Sequence, residues 1–502
     1  MVSYFALAGL AIVLYILYVF IINPYLQYRK YLKWGKGSFY PFVGVFYGAG
    51  LRVKQYKDVD HHLKHMYDDG SDPKIYVENN ATGAIIKISD PEYIKEFVQL
   101  ENKAYQKTTL LIDNIIRLVG QGIIFSEGPQ WKKNRNVLSG VFHFEQLSKR
   151  VPSIEKITKE VYKRYIDSGN VKNVDVIELF QEITAEVVIQ TFFSNISKDK
   201  SFYGMSLSVA LSYLINSVGK QISTPFYFLF RTNFFKWGIR ESDRKLNKQI
   251  KEFRQMIGDI INERIKEEEE LEKRGEQTTK EDLVYYLKKN NLLGVLSLDE
   301  IISEFMTFYV AGMDTTGHLC GMAIWFLTQH PEIKKKLQEE LDANTDYSQN
   351  GLLKLPYLNG VIQETQRLYG PAGQLFNRVA LRDHMLKDIP IKKGTIVKPS
   401  PCSVHRHPKY FEDPHSFKPE RWFNKNTVTP YTFIPFNAGP RNCIGQHLAL
   451  IEARIMINYF MKTFDFESDP NFEMVLNYAF LIEPVDKLRI NLKLKENPLI
   501  YQ

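Results

Sequence analysis

The sequence predicts a mainly α-helical body with a smaller β-rich lobe, tethered by one N-terminal transmembrane helix. Three observations carry this reading. Residues 4–22 hold no charged side chain. From about residue 129 to 370, apolar residues recur at three- and four-residue spacing, the period of an amphipathic helix. Segments with strand-like alternation gather towards the two ends, at 74–78, 84–89, in the Pro-punctuated stretch 375–425 and at 488–494.

Composition narrows the function classes. The 502 residues are 44% apolar and 24% charged, the balance of a packed protein and not of a disordered one. Aromatics reach 13%, which calls for a large apolar interior or pocket. Three cysteines far apart, Cys320, Cys402 and Cys443, exclude a disulfide framework and a Cys-rich zinc site. A net charge of +8 over this length is a mild bias. It suits an acidic protein partner or an anionic membrane surface, and no basic stripe interleaved with stacking aromatics points to nucleic acid.

The apolar run of 19 residues at 4–22 is just long enough, at about 1.5 Å per residue, to cross a bilayer. It lacks the basic start and small-residue cleavage site of a secretory signal, so residues 1–24 are read as a single-pass anchor. Arg29, Lys30, Lys33 and Lys36 follow it, and the positive-inside rule then leaves the remaining chain in the cytosol. Tyr25, Tyr28, Tyr31 and Trp34 suit an interfacial aromatic belt. Residues 25–41 are expected to act as a basic, aromatic hinge, and 42–502 as the body. Asp90-Pro91 begins a helix running through Phe97. Residues 241–274 read as a charged, solvated helix pair, 298–329 as a long apolar helix and 447–463 as another.

The chemistry concentrates in Pro435-Phe-Asn-Ala-Gly-Pro-Arg-Asn-Cys443-Ile-Gly445-Gln, directly before the helix at 447. One cysteine sits in a Gly- and Pro-rich loop at a helix N-terminus, where backbone N–H groups can stabilise a thiolate and lower its pKa. Gly439 and Gly445 let a flat ligand approach the backbone, and Asn437 tolerates a left-handed turn. Arg441 can pair with a ligand carboxylate. Cys320 and Cys402 read as inert buried thiols.

This loop, Phe436-x-x-Gly439-x-Arg441-x-Cys443-x-Gly445, resembles the haem-binding loop of the cytochrome P-450 superfamily of haem-thiolate monooxygenases. The resemblance implies the P-450 fold of the membrane-anchored microsomal type. It makes Cys443 the axial ligand of the iron of haem b, Arg441 a propionate partner and Phe436 a ring beside the sulfur. A thiolate ligand favours O–O cleavage. The family more often has Gly at position 437.

Four further segments resemble family motifs in family order. Trp131-Lys-Lys-Asn-Arg135 is similar to a helix whose Trp and Arg bind a propionate, and its i,i+4 spacing puts both on one face. Ala311-Gly312-Met-Asp314-Thr315-Thr316 resembles the oxygen-activation site. There an acid and an alcohol, here Asp314 and Thr315, relay protons, while Gly312 permits a local opening of the helix and Ala311 lies beside the haem. A back-bonding Thr is the bland explanation for Thr315 taken alone. Glu364-Thr-Gln-Arg367 and Pro419-Glu-Arg421-Trp422 resemble the elements that form a buried structural charge network. Glu241-Ser-Asp-Arg244 has the same spacing and reads as an exposed pair. Arg378 is a further propionate candidate, in a stretch one residue longer than usual.

The implied reaction inserts one atom of O₂ into an apolar substrate, the other leaving as water. The chain has no complete dinucleotide fingerprint, so electrons are expected from NADPH through a separate flavoprotein reductase, docked near Lys132 and Lys133. By resemblance the pocket draws on Phe305, Phe308, Leu375, Phe376, Phe480 and the loop at 111–119. The apolar tract at 222–230 is a candidate substrate entrance. The alternatives are a reductase-independent peroxide isomerase or dehydratase of the same fold, and a haem sensor or carrier. Asp314 and Thr315 weigh against both. The expected site is the endoplasmic reticulum membrane, with the sequons at Asn80 and Asn195 unglycosylated.

Overall fold

The computed structural model describes residues 2–501 apart from 43, 109–112, 195–199, 223, 277, 279, 281, 374–375, 425–427 and 479–480. Side chains at 2, 3, 5, 144, 145, 193, 225, 226 and 228–231 also lie outside the described set. Leu375, Phe480 and the Asn195 sequon are therefore not placed, nor are most side chains of the 222–230 tract.

Helix α1 (Val2–Leu17) is exposed along its described length and passes through a π-helical turn (Tyr18–Ile22) into α2 (Asn23–Tyr31). By length and composition this stretch can cross a membrane. The hinge expected at 25–41 is instead built into the body. Tyr31 is 1% exposed and accepts from the Lys392 N–H, Gln27 accepts from the Ala84 N–H, and Trp34 Nε1 donates to Asp388. Strand β1 (Gly35–Ser38) then pairs in parallel with β2 (Ile75–Asn79). Gly35 and Gly37 make this possible, since a Cβ on either would stand 1.9 or 2.4 Å from a carbonyl oxygen of β2. Tyr31 and Trp34 therefore belong to the lobe and not to an aromatic belt.

The lobe is a six-stranded sheet. β2 pairs antiparallel with β3 (Ala84–Ile88), and helix α3 (Pro91–Ala104) follows, capped by Asp90, whose carboxylate accepts from the N–H groups of Glu92 and Tyr93. β4 (Tyr105–Lys107) continues the chain. With β5 (Arg378–Ala380) and β6 (Ile396–Pro399) the sheet order is β1-β2-β3-β6-β5-β4. Residues some 300 apart in sequence are thereby joined, β6 lying parallel to β3 in the register Val397 opposite Ile86.

The helical body holds the larger core. Its elements include α4 (Gly128–Ser139), α5 (Val176–Phe193), α6 (Glu241–Lys273), α7 (Leu298–Gln329), α8 (Pro356–Tyr369) and α9 (Gln446–Thr463). The charged segment expected as a helix pair is the single helix α6. Its apolar stripe (Leu246, Ile250, Phe253, Ile257, Ile261) keeps one face against the core without a break. The N-terminus of α7 is set by a reciprocal cap: Ser297 accepts from the Glu300 N–H, and Glu300 accepts from the Ser297 N–H at 2.8 Å. The chain closes with β7 (Phe464–Ser468) antiparallel to β8 (Arg489–Leu494), which turns Ile490 and Leu492 inward.

Candidate active site

The cysteine loop is fixed by its own backbone. The Cys443 N–H donates to the Phe436 carbonyl at 2.9 Å, and the Asn437 N–H to the Ile434 carbonyl at 3.1 Å. Two residues carry positive φ, Asn437 at 61° and Gly439 at 72°. A Cβ on Gly439 would stand 2.1 Å from Val98, so the loop rests on α3. Gly445 lies just before α9, and a Cβ there would sit 3.9 Å from both Cys443 Sγ and Phe142. Glycine thus keeps clear the space beside the sulfur.

Cys443 is the exposed cysteine of the three, yet protein surrounds it on most sides. Burial pushes its thiol pKa up, against the Gly445 N–H and the Arg135 charge, which pull it down. The lowering expected from the helix terminus is therefore outweighed by burial. Metal ligation itself would supply the charge that stabilises the thiolate.

Phe142, beside Gly445, connects the cysteine loop to α7, its ring 5.2 Å from that of Phe308. Along α7, residues 301–310 and 316–324 are buried, while Ala311, Gly312, Asp314 and Thr315 are half-buried. The helix runs unbroken through Gly312, in place of the local opening expected there. Gly312 serves close packing: a Cβ would stand 2.8 Å from Val188 of α5. Gly317 and Gly321 repeat the device, each admitting an α5 backbone atom to 2.8 Å or less of the position a Cβ would take. Thr315 Oγ1 donates to the Ala311 carbonyl at 2.6 Å, so the hydroxyl is oriented by its own helix. Asp314 lies 3.4 Å from Gln181 Nε2, and burial, with Glu483 nearby, pushes its pKa up to about 7.

Beside the loop stands a group of cations. Trp131 and Arg135 share one face of α4: Arg135 donates to the Asn442 carbonyl and Oδ1 at 2.8 and 2.7 Å, and the Arg441 guanidinium lies 3.8 Å from the Trp131 ring centroid. Arg441 also donates to Asn102, to the Ser126 carbonyl and to Glu127, the last at 2.5 Å. Arg378 is engaged by Glu101 at 2.6 Å. Lys107 was not singled out in the sequence. It donates to the Ile124 carbonyl, and burial, then repulsion from Arg378 and Arg441, lowers its pKa to about 7. A lysine driven towards neutrality by burial, and further by two neighbouring arginines, marks a place short of anions. The exposed sulfur, the cleared space at Gly445 and this surplus of cations fit a flat, dianionic, metal-carrying group such as haem.

Below the loop, Glu364 and Arg367 of α8 meet Arg421. The Glu364 carboxylate accepts from Arg367 Nε and Nη2 at 2.9 and 2.7 Å, Arg421 Nε at 3.0 Å, Trp422 Nε1 at 2.9 Å and the Lys418 N–H at 3.0 Å. Arg367 spends its remaining N–H groups on the carbonyls of His405, Pro414 and Ser416. The similarly spaced Arg244 donates instead to the carbonyls of Gly238 and Ile239. Of the pocket candidates, Phe305 and Phe308 are buried, and Phe376 packs edge-on against Phe125 with centroids 6.3 Å apart. Lys133 is tied to Glu300 at 2.6 Å, whereas Lys132 is exposed.

A family profile described as Cytochrome P450 matches residues 36–487. Among similar proteins, a "7-deoxyloganic acid hydroxylase" of Catharanthus roseus is 29% identical over 77% of this chain and 75% of its own length. An "11-oxo-beta-amyrin 30-oxidase" of Medicago truncatula is 28% identical over 79% and 76%. "Cytochrome P450 3A13" of Mus musculus is 26% identical over 80% and 81%. A crystal structure of the "cytochrome P450DA heme domain" superposes with a TM-score of 0.70 at 20% identity, covering 84% of this chain and 90% of that one.

Proposed function

Since the chain belongs to the cytochrome P450 family and is thus a haem-dependent oxidoreductase that uses O₂, we propose that it inserts oxygen into an apolar small molecule with electrons from a separate NADPH-dependent flavoprotein reductase. The observation that carries this reading is the exposed Cys443 in its glycine-bounded loop, with Phe142 linking it to α7, which bears the half-buried Asp314 and Thr315. Relatives named as a hydroxylase and an oxidase support the reaction type.

Bound beside Cys443, haem would supply the oxygen activation that no side chain here can provide. Cys443 Sγ would ligate its iron. Trp131, Arg135 and Arg441 would hold the propionates, with Lys107 and Arg378 adding charge, and Ala311, Gly312, Phe436, Gly439 and Gly445 would line the slot. Burial raises the Asp314 pKa to about 7, so its carboxyl can both hold and release a proton near neutral pH. It would deliver that proton to the reacting group, while the Thr315 hydroxyl, held by the Ala311 carbonyl, orients the acceptor. Phe305, Phe308 and Phe376, with Leu375 and Phe480, would present an apolar wall to the substrate. A peroxide isomerase would need neither the acid nor the alcohol.

Residues 1–24 would anchor the protein in the endoplasmic reticulum membrane with the body, 42–502, in the cytosol. Residues 25–41, packed on the sheet, would hold the body close to the bilayer. Exposed Lys132 would contribute to the reductase-facing surface; Lys133, already paired with Glu300, would contribute less. A glycan at Asn80 or Asn195 would reverse this orientation.

The test is the carbon monoxide difference spectrum of the reduced, haem-loaded chain beside Cys443→Ser. The expected result is the long-wavelength Soret band of a thiolate complex, lost in the variant, followed by NADPH-dependent turnover once reductase is added. A folded chain that takes up no haem would overturn the reading. Turnover of a hydroperoxide without reductase or O₂ would replace it with the isomerase.

A further inference from the structure

On the surface, away from the cysteine loop, two distant parts of the chain bring imidazole and carboxylate groups together. His65 and Asp68 follow the helical turn His61–Lys64; His415 lies in the loop before Arg421. Asp68 Oδ2 is 2.7 Å from His65 Nδ1, and Asp68 Oδ1 is 3.2 Å from His415 Nε2. One ligand atom from each residue falls within 4.8 Å of the others, and all three residues are exposed. The His65 ring is stacked between those of His61 and His415, with centroids at 4.1 and 4.8 Å.

Two features make this more than an accidental surface contact. First, both ligand-bearing segments are held from behind. The carbonyls on either side of His415, those of Pro414 and Ser416, accept from the buried Arg367 at 2.6 and 3.0 Å. On the other side, Leu63 and Met66 are in the core at 0% and 1% exposure. Second, the neighbouring carboxylates are occupied by cations, Asp69 by Lys36 at 2.6 Å and Asp413 by Lys418. Asp68 meets only the two imidazoles among the described ion pairs.

We propose that His65, Asp68 and His415 form a binding site for a divalent transition-metal ion of the zinc class. Two imidazole nitrogens and one carboxylate oxygen suit zinc, with water in the fourth position, and discriminate against magnesium and calcium, which prefer all-oxygen sites. Bonds of about 2.0–2.1 Å in a tetrahedron put ligand atoms roughly 3.3 Å apart. The 2.7 Å pair must therefore open slightly as the wider contacts close, within the freedom of exposed side chains. The ion would link the turn after the His61–Lys64 segment to the loop that Arg367 grips, clamping two segments 350 residues apart in sequence against each other.

The experiment uses the full-length, haem-loaded chain in detergent, so that Cys443 is not free to take zinc. After chelator treatment it is titrated with ZnCl₂ by calorimetry, and thermal unfolding is followed with and without the metal. The expected result is one saturable site per chain, a raised unfolding temperature, and no response to MgCl₂. His65→Ala and His415→Ala should each weaken the site by at least about tenfold, since each removes one of three protein ligands. An unchanged Soret spectrum in both variants confirms that their folds and haem sites are intact. Asp68→Asn keeps the size of the side chain and removes its charge; it should lose both the binding and the thermal shift. Zinc uptake of equal affinity in all three variants, or no saturable uptake by the wild-type chain, would overturn the site.

Discussion

Around Glu364 two guanidinium groups, an indole and a backbone N–H converge on one carboxylate, whereas around Lys107 three cations share two carboxylates and repel one another. Both clusters are largely buried and both lie near the cysteine loop in space. The first is closed: each Glu364 oxygen accepts several donors, and Arg367 ends on carbonyls. The second is open, because among the described residues the Lys107 ammonium has only a carbonyl for a hydrogen-bond partner and loses much of its basicity. A closed cluster specifies a fold; an open one is shaped for a ligand that brings the missing charge.

Loss of one charge should therefore act in opposite directions in the two places. Glu364→Gln keeps the shape of the side chain but leaves Arg367 and Arg421 facing each other without a counter-charge. Breaking one partner of a buried network costs about 3–5 kcal/mol, enough to remove most of a typical domain's stability. The expected outcome is a collapse of the urea midpoint and of soluble yield. A midpoint within experimental scatter of the wild type would show that the network is not closed in the way its hydrogen bonds indicate.

The closed cluster was largely legible through its resemblance to family motifs in family order, since the three-residue spacing alone also fits Glu241 and Arg244. Glu364 and Arg367 lie three apart on one amphipathic helix, and Arg421 sits beside the indole that completes the carboxylate's shell. The α7 boundaries were legible too, from the long apolar run at 298–329 alone. Lys107, Glu127 and Asn102 were not. They reach Arg441 only because the sheet brings β4 beside β5 and α3 beneath the cysteine loop, and no local pattern records that pairing. Gly312 was misassigned for a similar reason: its missing Cβ admits Val188 of another helix, which a helix's own sequence does not reveal. The hinge failed because Gly35 and Gly37, read as flexible, are strand residues that admit the β2 carbonyls. The charged helix was split in two because its apolar stripe is thin among many Lys and Glu residues.

The open cluster should show itself through pH. In the folded, haem-free chain Lys107 releases its proton near pH 7, whereas in the unfolded chain it keeps it to about 10.5. Between those values the unfolded state binds more protons, so stability rises with pH, at most by about 1.4 kcal/mol per pH unit for one proton. Lys398, whose pKa is likewise lowered to about 7, contributes to the same rise, so Lys107→Met should remove only the share of Lys107 in urea unfolding, and haem should remove that same share in the wild type by supplying anions. It should also speed haem loss from the loaded chain. Asp314 gives the opposite slope. Its folded pKa of about 7 exceeds the unfolded 3.8, so its contribution is lost as pH rises from about 4 to 7. Asp314→Asn should remove that fall while lowering turnover about a hundredfold, the usual worth of a positioned general acid. Because Glu304, Glu452 and Lys398 also titrate near neutrality, the difference between variant and wild type is what decides: a variant curve parallel to the wild type would contradict the assignment of the residue replaced.

The smallest effect probes the loop between the two clusters. Asn437 holds φ at 61° while its N–H donates to the Ile434 carbonyl and its side-chain amide lies 3.5 Å from the Arg441 carbonyl. A left-handed conformation costs an ordinary L-residue roughly 1–2 kcal/mol, less for Asn, and nothing for Gly. Asn437→Ala should therefore destabilise the haem-loaded chain by about 1 kcal/mol in urea. Asn437→Gly should lie within a few tenths of a kcal/mol of the wild type, because its relief of strain is offset by the greater freedom of glycine in the unfolded chain. Equal losses in both variants would mean that the amide contact with the Arg441 carbonyl, and not the backbone angle, is what asparagine contributes there. The loop would then be stabilised from the arginine that belongs to the open cluster.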